Sequence, residues 1–532
     1  MRILDAASRA KVQQAIDQNH AELAQTEGFV SAEPGFPIVD GAILREPAVI
    51  VFVRHRKPAD SLLAEDRAPR QIGSYRVCVL QADPMQQIAA TDGLPDVMAM
   101  VEASVDNLTY EPIDDNPIDT LFEVKGSFLC HVGPDAGWPT LKPFLEGTRH
   151  SLSVAMYDFN ADYIAKTFID TVRGNDITAV LTWDDGMTAP ETAIRTKLRS
   201  SLQGLLDGWI VQCGGGRRFA SAYHEKVAVR DAASFWLSSG NWSLRSQPNI
   251  DPIGFPAQAR GMYSKGNREW HVIVDDADLA QLFERYIRHD RDGSEQEKRE
   301  GDAGAQLDVE TPVRLPDVFV PIDRLVDLPD LAAAPDPVAP RSLPSTARAI
   351  KVQPVLTPDN YLGKIMDLLK GARKSIYLQY AYITYSAAIQ DKRFTEMLEL
   401  LGTLSYRHDL DVRIIVGSTD AANKVRKLVE SGYRDTVFRI QGNIHNKGII
   451  VDGEIVLVSS ANWSGDGVLR NRDAGLILYD AEIADYYRSV FLDDWDNRAR
   501  ANLDEDKPVL VAGEGEAPPA GMVRMSWRDY YG

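Results

Sequence analysis

His224–Ser243, reading HEKVAVRDAASFWLSSGNWS, and His445–Ser464, reading HNKGIIVDGEIVLVSSANWS, are one stretch written twice at a constant offset of 221 residues. Eight of the twenty positions are identical: His, Lys, Asp, Ser, Ser, Asn, Trp and Ser. The fillers between them change freely among apolar residues. A purely structural repeat keeps its apolar positions best, so these copies share functional groups more than packing. The alternation in Lys226–Asp231 and Lys447–Asp452 predicts a β-strand, and residues two apart on a strand face the same way. Each His therefore projects with its Lys. A second strand through Phe235–Leu237, or Val456–Val458, delivers Ser239 and Asn241, or Ser460 and Asn462. Asp231 and Asp452-Gly453 close each unit as a hairpin. One hairpin thus carries imidazole, ammonium, hydroxyl and amide near one edge, as half of a phosphate-binding site would.

The duplication extends beyond the hairpins. Phe128–His131, a helix opened by Pro134-Asp135 and running toward Gly147, and the strand Ser151–Tyr157 match Val355–Thr357, Pro358-Asp359 with a helix to Gly371, and Ser375–Tyr380 at an offset of 224. A further strand, Ile177–Trp183 or Val412–Val416, precedes a helical segment before each motif. Strands alternating with helices predict an α/β fold: two copies of one domain, related by a pseudo-twofold, each a mixed or mostly parallel sheet flanked by helices. The expected division is an N-terminal α/β accessory domain over 1–118, a first repeat over 119–300, a Pro/Asp-rich extended linker over 301–348, a second repeat over 349–506 and a tail over 507–532. In the first of these, a helix is expected over Ala6–Ala24 and strands over Ala48–Val53 and Tyr75–Leu80; His20 and His55 read as surface or capping residues. By elimination, this domain is assigned to partner or oligomer contact or to a lid. The tail, with Trp527, Tyr530 and Tyr531, is either loose or docked back on the body.

Both motif stretches resemble the HxK(x)4D signature followed by (G/S)SxN of the phospholipase D superfamily, over roughly residues 125 to 500. The departure is small: both copies read Ser-Ser where the family commonly has Gly-Ser. The resemblance implies a phosphodiesterase in which two motifs form one site and a phosphohistidine is made without metal or other cofactor. By it, His224 and His445 are nucleophile and general acid, with His224 favoured as nucleophile. Lys226, Lys447, Asn241 and Asn462 hold the non-bridging oxygens, supported by Ser239 and Ser460. The family's acid that bonds the far nitrogen of a motif histidine maps to Glu269 and Asp473, in Asn267-Arg268-Glu269 and Asn471-Arg472-Asp473. Asp231 and Asp452 are assigned to hairpin structure. Between Asn241 and Glu269 stand 27 residues, against 10 between Asn462 and Asp473; the extra segment, Leu244–Lys265, reads as a loop that shapes access. Arg217 and Arg218, after Gly214-Gly215-Gly216, are candidates for substrate contact, although that glycine run lacks Walker spacing.

Composition bounds the partners. A net charge of −19 over 532 residues opposes indiscriminate binding to nucleic acid or anionic membrane. Local basic stretches run against it: six Lys or Arg to three acids over Pro190–Lys226, and six to two over Ala421–Lys447. No apolar run approaches the roughly 18 residues of a membrane span, and MRILDAASRAKVQQ lacks the apolar core of a signal peptide; a cytoplasmic location is expected. Cys78, Cys130 and Cys213 lack disulfide or metal spacing. Asp184-Asp185 and Asp493-Asp494 read as solvated or capping acids. The substrate is a phosphodiester, with a nucleic-acid backbone slightly preferred because the Asn-Trp-Ser and Asn-Arg-Glu/Asp context resembles nuclease-like members. The alternatives are a phospholipase D or phosphatidyl transferase, and an inactive phosphate-binding module.

Overall fold

Both hairpins form where the alternation places them. Lys226–Arg230 pairs antiparallel with Ser234–Ser238, and Lys447–Val451 with Ile455–Ser459. Asp231 and Asp452 turn the chain with φ of 56° and 57°, a left-handed conformation that Asp tolerates when its carboxylate bonds nearby backbone. Asp231 accepts the N–H groups of Arg149, His150 and Ser151, the middle one at 2.6 Å. Asp452 accepts those of Arg373, Lys374 and Ser375, again with the middle one at 2.6 Å. Each motif acid therefore pins the entry to the neighbouring strand and lies at the end of its hairpin remote from the His.

The computed structural model describes residues 3–90, 107–185, 188–303, 316–322, 336–344, 348–417, 420–503, 509–513, 515–527 and 530. Two eight-stranded sheets dominate it. The first has the order Leu206–Val211, Ala179–Asp184, Leu152–Met156, Lys226–Arg230, Ser234–Ser238, Glu269–Asp275, Phe128–Gly133, Arg341–Leu343. The second has the order Phe438–Gln441, Asp411–Gly417, Ser375–Tyr380, Lys447–Val451, Ile455–Ser459, Ala474–Tyr479, Ile350–Leu356, Phe122–Val124. The orders agree strand for strand. Only the first two pairings of each sheet are parallel, so the sheets are mixed. The two edge strands cross over: Phe122–Val124, which the sequence groups with the first repeat, pairs in the second sheet, and Arg341–Leu343, from the segment between the repeats, pairs in the first.

Alternation along the motif strands divides the core. Val227 and Val229 enter an apolar core that also holds Ile450, Val456 and Leu476 of the second half, together with Phe283 and Tyr487 from the helices Ala277–Ala303 and Ala481–Asp493. Ala228 and Trp236 face outward onto Phe144, Phe168 and Leu198, and Ile449 and Leu457 onto Ile365, Leu401 and Leu428. The inner core is thus built by both halves at once, which couples them more firmly than a linker could.

The N-terminal segment contributes helices Ala6–Gln18 and His20–Leu23 and a sheet of order Phe29–Gly35, Ala48–Val53, Tyr75–Gln81, Gln71–Ile72. It rests on helix Ala421–Ser431 of the same chain. Buried Glu430 accepts the Phe36 N–H at 2.7 Å and pairs with Arg9 at 2.9 Å. Leu510–Val511 and Met522–Met525 of the tail pair with Val318–Pro321 from the segment between repeats, and Gln87 bonds Val509 and Val511. The tail therefore docks on the body; Tyr531 lies outside the described residues. Among the described residues, no helix is long and apolar enough to cross a membrane.

Candidate active site

The N-terminal ends of the two central motif strands meet across the halves. The His224 N–H donates to the Arg472 carbonyl at 2.7 Å, and the His445 N–H to the Arg268 carbonyl at 3.2 Å. This backbone exchange brings each histidine beside the acid of the opposite copy. His224 Nδ1 lies 2.6 Å from Asp473 Oδ1, and His445 Nδ1 lies 2.7 Å from Glu269 Oε1. A carboxylate there holds the proton on Nδ1 and leaves Nε2 unprotonated. Both imidazoles are buried. Burial, reinforced by Lys226, pushes His224 down to about 4 even though Asp473 opposes it, and burial likewise lowers His445. Lys447 influences His224 and Lys226 influences His445, so the two motifs share one electrostatic field.

Ser239 and Ser460, expected to support substrate, bond the acids in this structure. Ser239 Oγ donates to Glu269 Oε2 at 2.5 Å while accepting the Trp270 N–H at 3.0 Å. Ser460 Oγ donates to Asp473 Oδ1 at 2.8 Å while accepting the Ala474 N–H at 3.0 Å. A hydroxyl has one proton to give, and in each case the acid takes it. Glu269 also accepts Ser246 Oγ at 2.8 Å, from the segment inserted in the first copy. Burial raises its pKa, but His445, Lys447 and Ser239 outweigh that and bring it down to about 2.

The extra methylene of Glu269 has a visible accommodation. A Cβ at Gly240 would lie 2.6 Å from the Glu269 Cδ, whereas the second copy, with the shorter Asp473, has Ala461 at the equivalent position.

The lysines differ as well. Lys226 Nζ donates to the His224 carbonyl at 2.7 Å and sits 4.8 Å from the centre of the Tyr157 ring, which also meets His224 edge-on. Lys447 Nζ donates to the His445 carbonyl at 2.6 Å and lies 2.9 Å from its Nε2. Burial lowers Lys447 to about 7 against the pull of Glu269 and Asp473. Asn241 and Asn462 are buried, and Oδ1 of each has no hydrogen-bond partner.

A family model described as "Cardiolipin synthase, PLD-like domain" matches residues 365–495. Over these residues the chain resembles the phospholipase D superfamily. Its similarity to a phospholipase D of Rickettsia bellii (strain RML369-C) is 29% identity over 156 residues, 29% of this chain and 71% of that one. Similarity to a cardiolipin synthase of Staphylococcus aureus (strain Mu50 / ATCC 700699) is 25% over 138 residues, covering 24% of this chain and 26% of that one. Among solved structures, a phosphatidylserine synthase of Haemophilus influenzae Rd KW20 aligns with 71% of this chain and 88% of its own at 11% identity and a TM-score of 0.43.

Two arginines of this phospholipase D-like chain carry the junction, and sequence reasoning passed over them. Arg268 grips Asp494 through Nε and Nη2 at 2.9 and 3.1 Å, and Asp135 through Nη1 at 2.5 Å. Arg472 grips Asp290 at 2.7 and 2.9 Å, and Asp359 at 2.7 Å. All six side chains are buried, and each arginine joins an acid of its own copy to one of the other. The signal was available: Asp135 and Asp359 stand 224 apart, Asp290 and Asp494 stand 204 apart, and 204 also separates Arg268 from Arg472. Asp494 is therefore no solvated acid; a bidentate guanidinium offsets the cost of its burial.

Arg218 is drawn into the same cluster. It is buried, with Nη2 3.5 Å from Asp290 Oδ1, so its charge is engaged there and not held out to substrate; Arg217 accepts the Thr109 N–H on its carbonyl at 2.9 Å. Asp184 is buried too and accepts the N–H of Tyr223, next to His224, at 2.7 Å. It lies with Asp185 and Cys213 so that their ligand atoms fall within 4.8 Å of one another.

The first copy also holds a buried imidazole pair without a counterpart in the second. His131 and His271 stack with centroids 4.6 Å apart, where the second copy has Val355 and Gly475. His271 Nδ1 lies 2.6 Å from Ser238 Oγ, which accepts the Gly240 N–H at 2.7 Å. The pair thus supports the turn that presents Asn241. Burial drives His271 down to about 4 and His131 well below its ordinary value.

Proposed function

We propose that the chain cleaves a phospholipid phosphodiester through a phosphohistidine, by hydrolysis or headgroup transfer, at one site made by both motifs. The observation that carries this is the crossed pairing of His224 with Asp473 and of His445 with Glu269, which gives two buried imidazoles with the proton held on Nδ1 and Nε2 unprotonated. In the free site both are neutral at pH 7. A bound phosphodiester brings negative charge and raises their pKa values, so one can hold a proton while the other attacks.

The unprotonated Nε2 of His224 forms a bond to phosphorus. The phosphorus–oxygen bond to the leaving group breaks, and protonated His445 gives that oxygen its proton. His445 then takes a proton from water or an alcohol, whose oxygen displaces the His224 nitrogen. Lys226 and Lys447 neutralise the charge that builds on the non-bridging oxygens, and the uncommitted amides of Asn241 and Asn462 bond them. The chain supplies these cations itself, and the reading requires no metal. Arg217 remains a contact for the substrate's remoter parts.

A phospholipid is placed ahead of nucleic acid, in revision of the preference from motif context. The matching family model and the curated relatives carry the names cardiolipin synthase and phospholipase D, and Arg218, counted toward a basic approach, is consumed by Asp290.

The test is turnover of short-chain phosphatidylcholine and phosphatidylglycerol in EDTA, with and without added glycerol, beside labelled single- and double-stranded DNA and RNA. Headgroup release or exchange that His224→Ala and His445→Ala each abolish is expected. Nucleic-acid cleavage with no phospholipid turnover would overturn the substrate, and activity surviving both substitutions would overturn the site.

A further inference from the structure

Four large apolar side chains stand exposed at the mouth of the paired motifs. Leu244, Ile253 and Phe255 are 52, 45 and 59% exposed, and Ile389 is 90% exposed. Their placement follows from the topology. Ser234–Ser238 runs antiparallel to Lys226–Arg230, so the chain beyond it, including Leu244–Lys265, leaves the first sheet at its histidine end. Ser375–Tyr380 runs antiparallel to Lys447–Val451, with Tyr380 opposite Lys447, so the loop to Ile389 leaves the second sheet at its histidine end. Both segments are tied down there. Ser246 bonds Glu269, and Arg245 bonds Asn443 at 3.0 Å, two residues before His445; the Thr384 N–H donates to the Trp463 carbonyl at 2.8 Å. Each segment is thus rooted at the catalytic groups and carries its apolar residues outward.

Charge on these segments opposes that of the whole chain. Against a net −19, Arg260, Lys265 and Arg393 are exposed on or directly beside them. The acids among them are occupied: Asp391 is buried against Arg470, and Asp251 accepts the Gly254 N–H at 2.8 Å. Exposed aliphatic and aromatic side chains interleaved with cations suit the boundary between headgroups and acyl chains of an anionic bilayer. They do not suit a nucleic-acid backbone, which offers such side chains nothing to bury.

We infer that Leu244–Lys265 and the loop ending at Ile389 form an interfacial lip, one side from each repeat, that docks the active-site mouth on an anionic phospholipid surface. This rests on the phospholipid reading and gives that site its means of reaching substrate within a membrane.

The test is cosedimentation with vesicles of phosphatidylglycerol and phosphatidylcholine in equal parts, in the turnover-deficient His224→Ala background, comparing the native lip with Ile253→Ser/Phe255→Ser/Ile389→Ser. Binding is expected to fall about tenfold or more in the triple variant, the loss of three partly buried side chains, and with rising salt. In the otherwise native chain, kcat/KM on monomeric short-chain phospholipid should stay unchanged in the triple variant, which also certifies its fold. As an independent reading, the fluorescence of Phe255→Trp should shift to the blue on adding vesicles. Absence of vesicle binding, equal binding by the triple variant, or an emission spectrum of Phe255→Trp indifferent to lipid would each overturn the inference. Short-chain turnover without vesicle binding would sink the lip and leave the function standing; vesicle binding lost in the triple variant, without turnover of any phospholipid, would do the reverse.

Discussion

The crossed wiring of acids to histidines makes an unequal prediction for two superficially equal substitutions. Asp473→Asn can keep its geometry: one amide oxygen takes the place of Oδ1, accepting both His224 Nδ1 at 2.6 Å and Ser460 Oγ at 2.8 Å, while the amide nitrogen falls where Oδ2 has no partner. What is lost is charge. A hydrogen bond to a charged group exceeds a neutral one by about 1.5 kcal/mol, so kcat/KM should fall about tenfold. In Glu269→Gln, Oε1 can still serve His445 and Ser246, but the amide nitrogen replaces the Oε2 that accepts Ser239 Oγ. Ser239 already accepts the Trp270 N–H, and its own proton is stranded in a buried site at a further cost of about 1–3 kcal/mol. The loss should reach about a hundredfold or more. Kinetics on both variants should be read with nitrogen NMR of histidine-labelled protein: Asp473→Asn should move the ring signals of His224 and leave His445, and Glu269→Gln the converse. Equal rate losses, or each acid moving the histidine of its own repeat, would refute the wiring.

Three further outcomes are expected. On the free enzyme, kcat/KM should fall as pH drops through about 4, where His224 is protonated, and as pH rises through about 7, where Lys447 loses its charge; an acid limb near 6.5, the ordinary imidazole value, or a flat profile up to pH 9 would contradict it. Arg268→Leu leaves Asp135 and Asp494 buried without their cation and should destabilise the chain by about 3–5 kcal/mol in urea unfolding, while Lys374→Ala, at an exposed pair with Glu454, should leave the midpoint in place. Gly240→Ala should depress activity by driving Glu269 from its place, and Glu269→Asp in the same chain should restore part of it, since the second repeat already combines Ala461 with Asp473; a double variant no better than the single would show that the contact is relieved elsewhere.

Much of the architecture was legible because it was written twice. The 3.6- and 2-residue periodicities recur at matched offsets, and hairpins such as Lys226–Ser238 are local structures whose turn acid and strand alternation lie within a dozen residues. The expectation of a mixed or mostly parallel sheet resolves to the mixed form, because parallel partners are chosen by crossover helices while the hairpin and its neighbours impose antiparallel pairing on the rest. The partners of the motif serines were not legible in the sequence for a related reason. Ser239 and Ser460 sit within the motif, but their protons go to acids 30 and 13 residues away in the chain, a distance over which spacing is mute.

By itself the sequence determined the inventory: two imidazoles, two ammoniums, two amides and two acids, each at a fixed interval on a local hairpin or at the start of the next strand. Which acid would serve which histidine, which arginines would bind the halves, and which apolar side chains would be left outside were decided by tertiary structure alone. The physical reason is that local alternation orients a side chain only relative to its own strand. The contacts that set tautomer, charge and burial at this site come from a strand of the opposite repeat, about 180 to 250 residues away along the chain, and are brought into place by a core to which both repeats contribute.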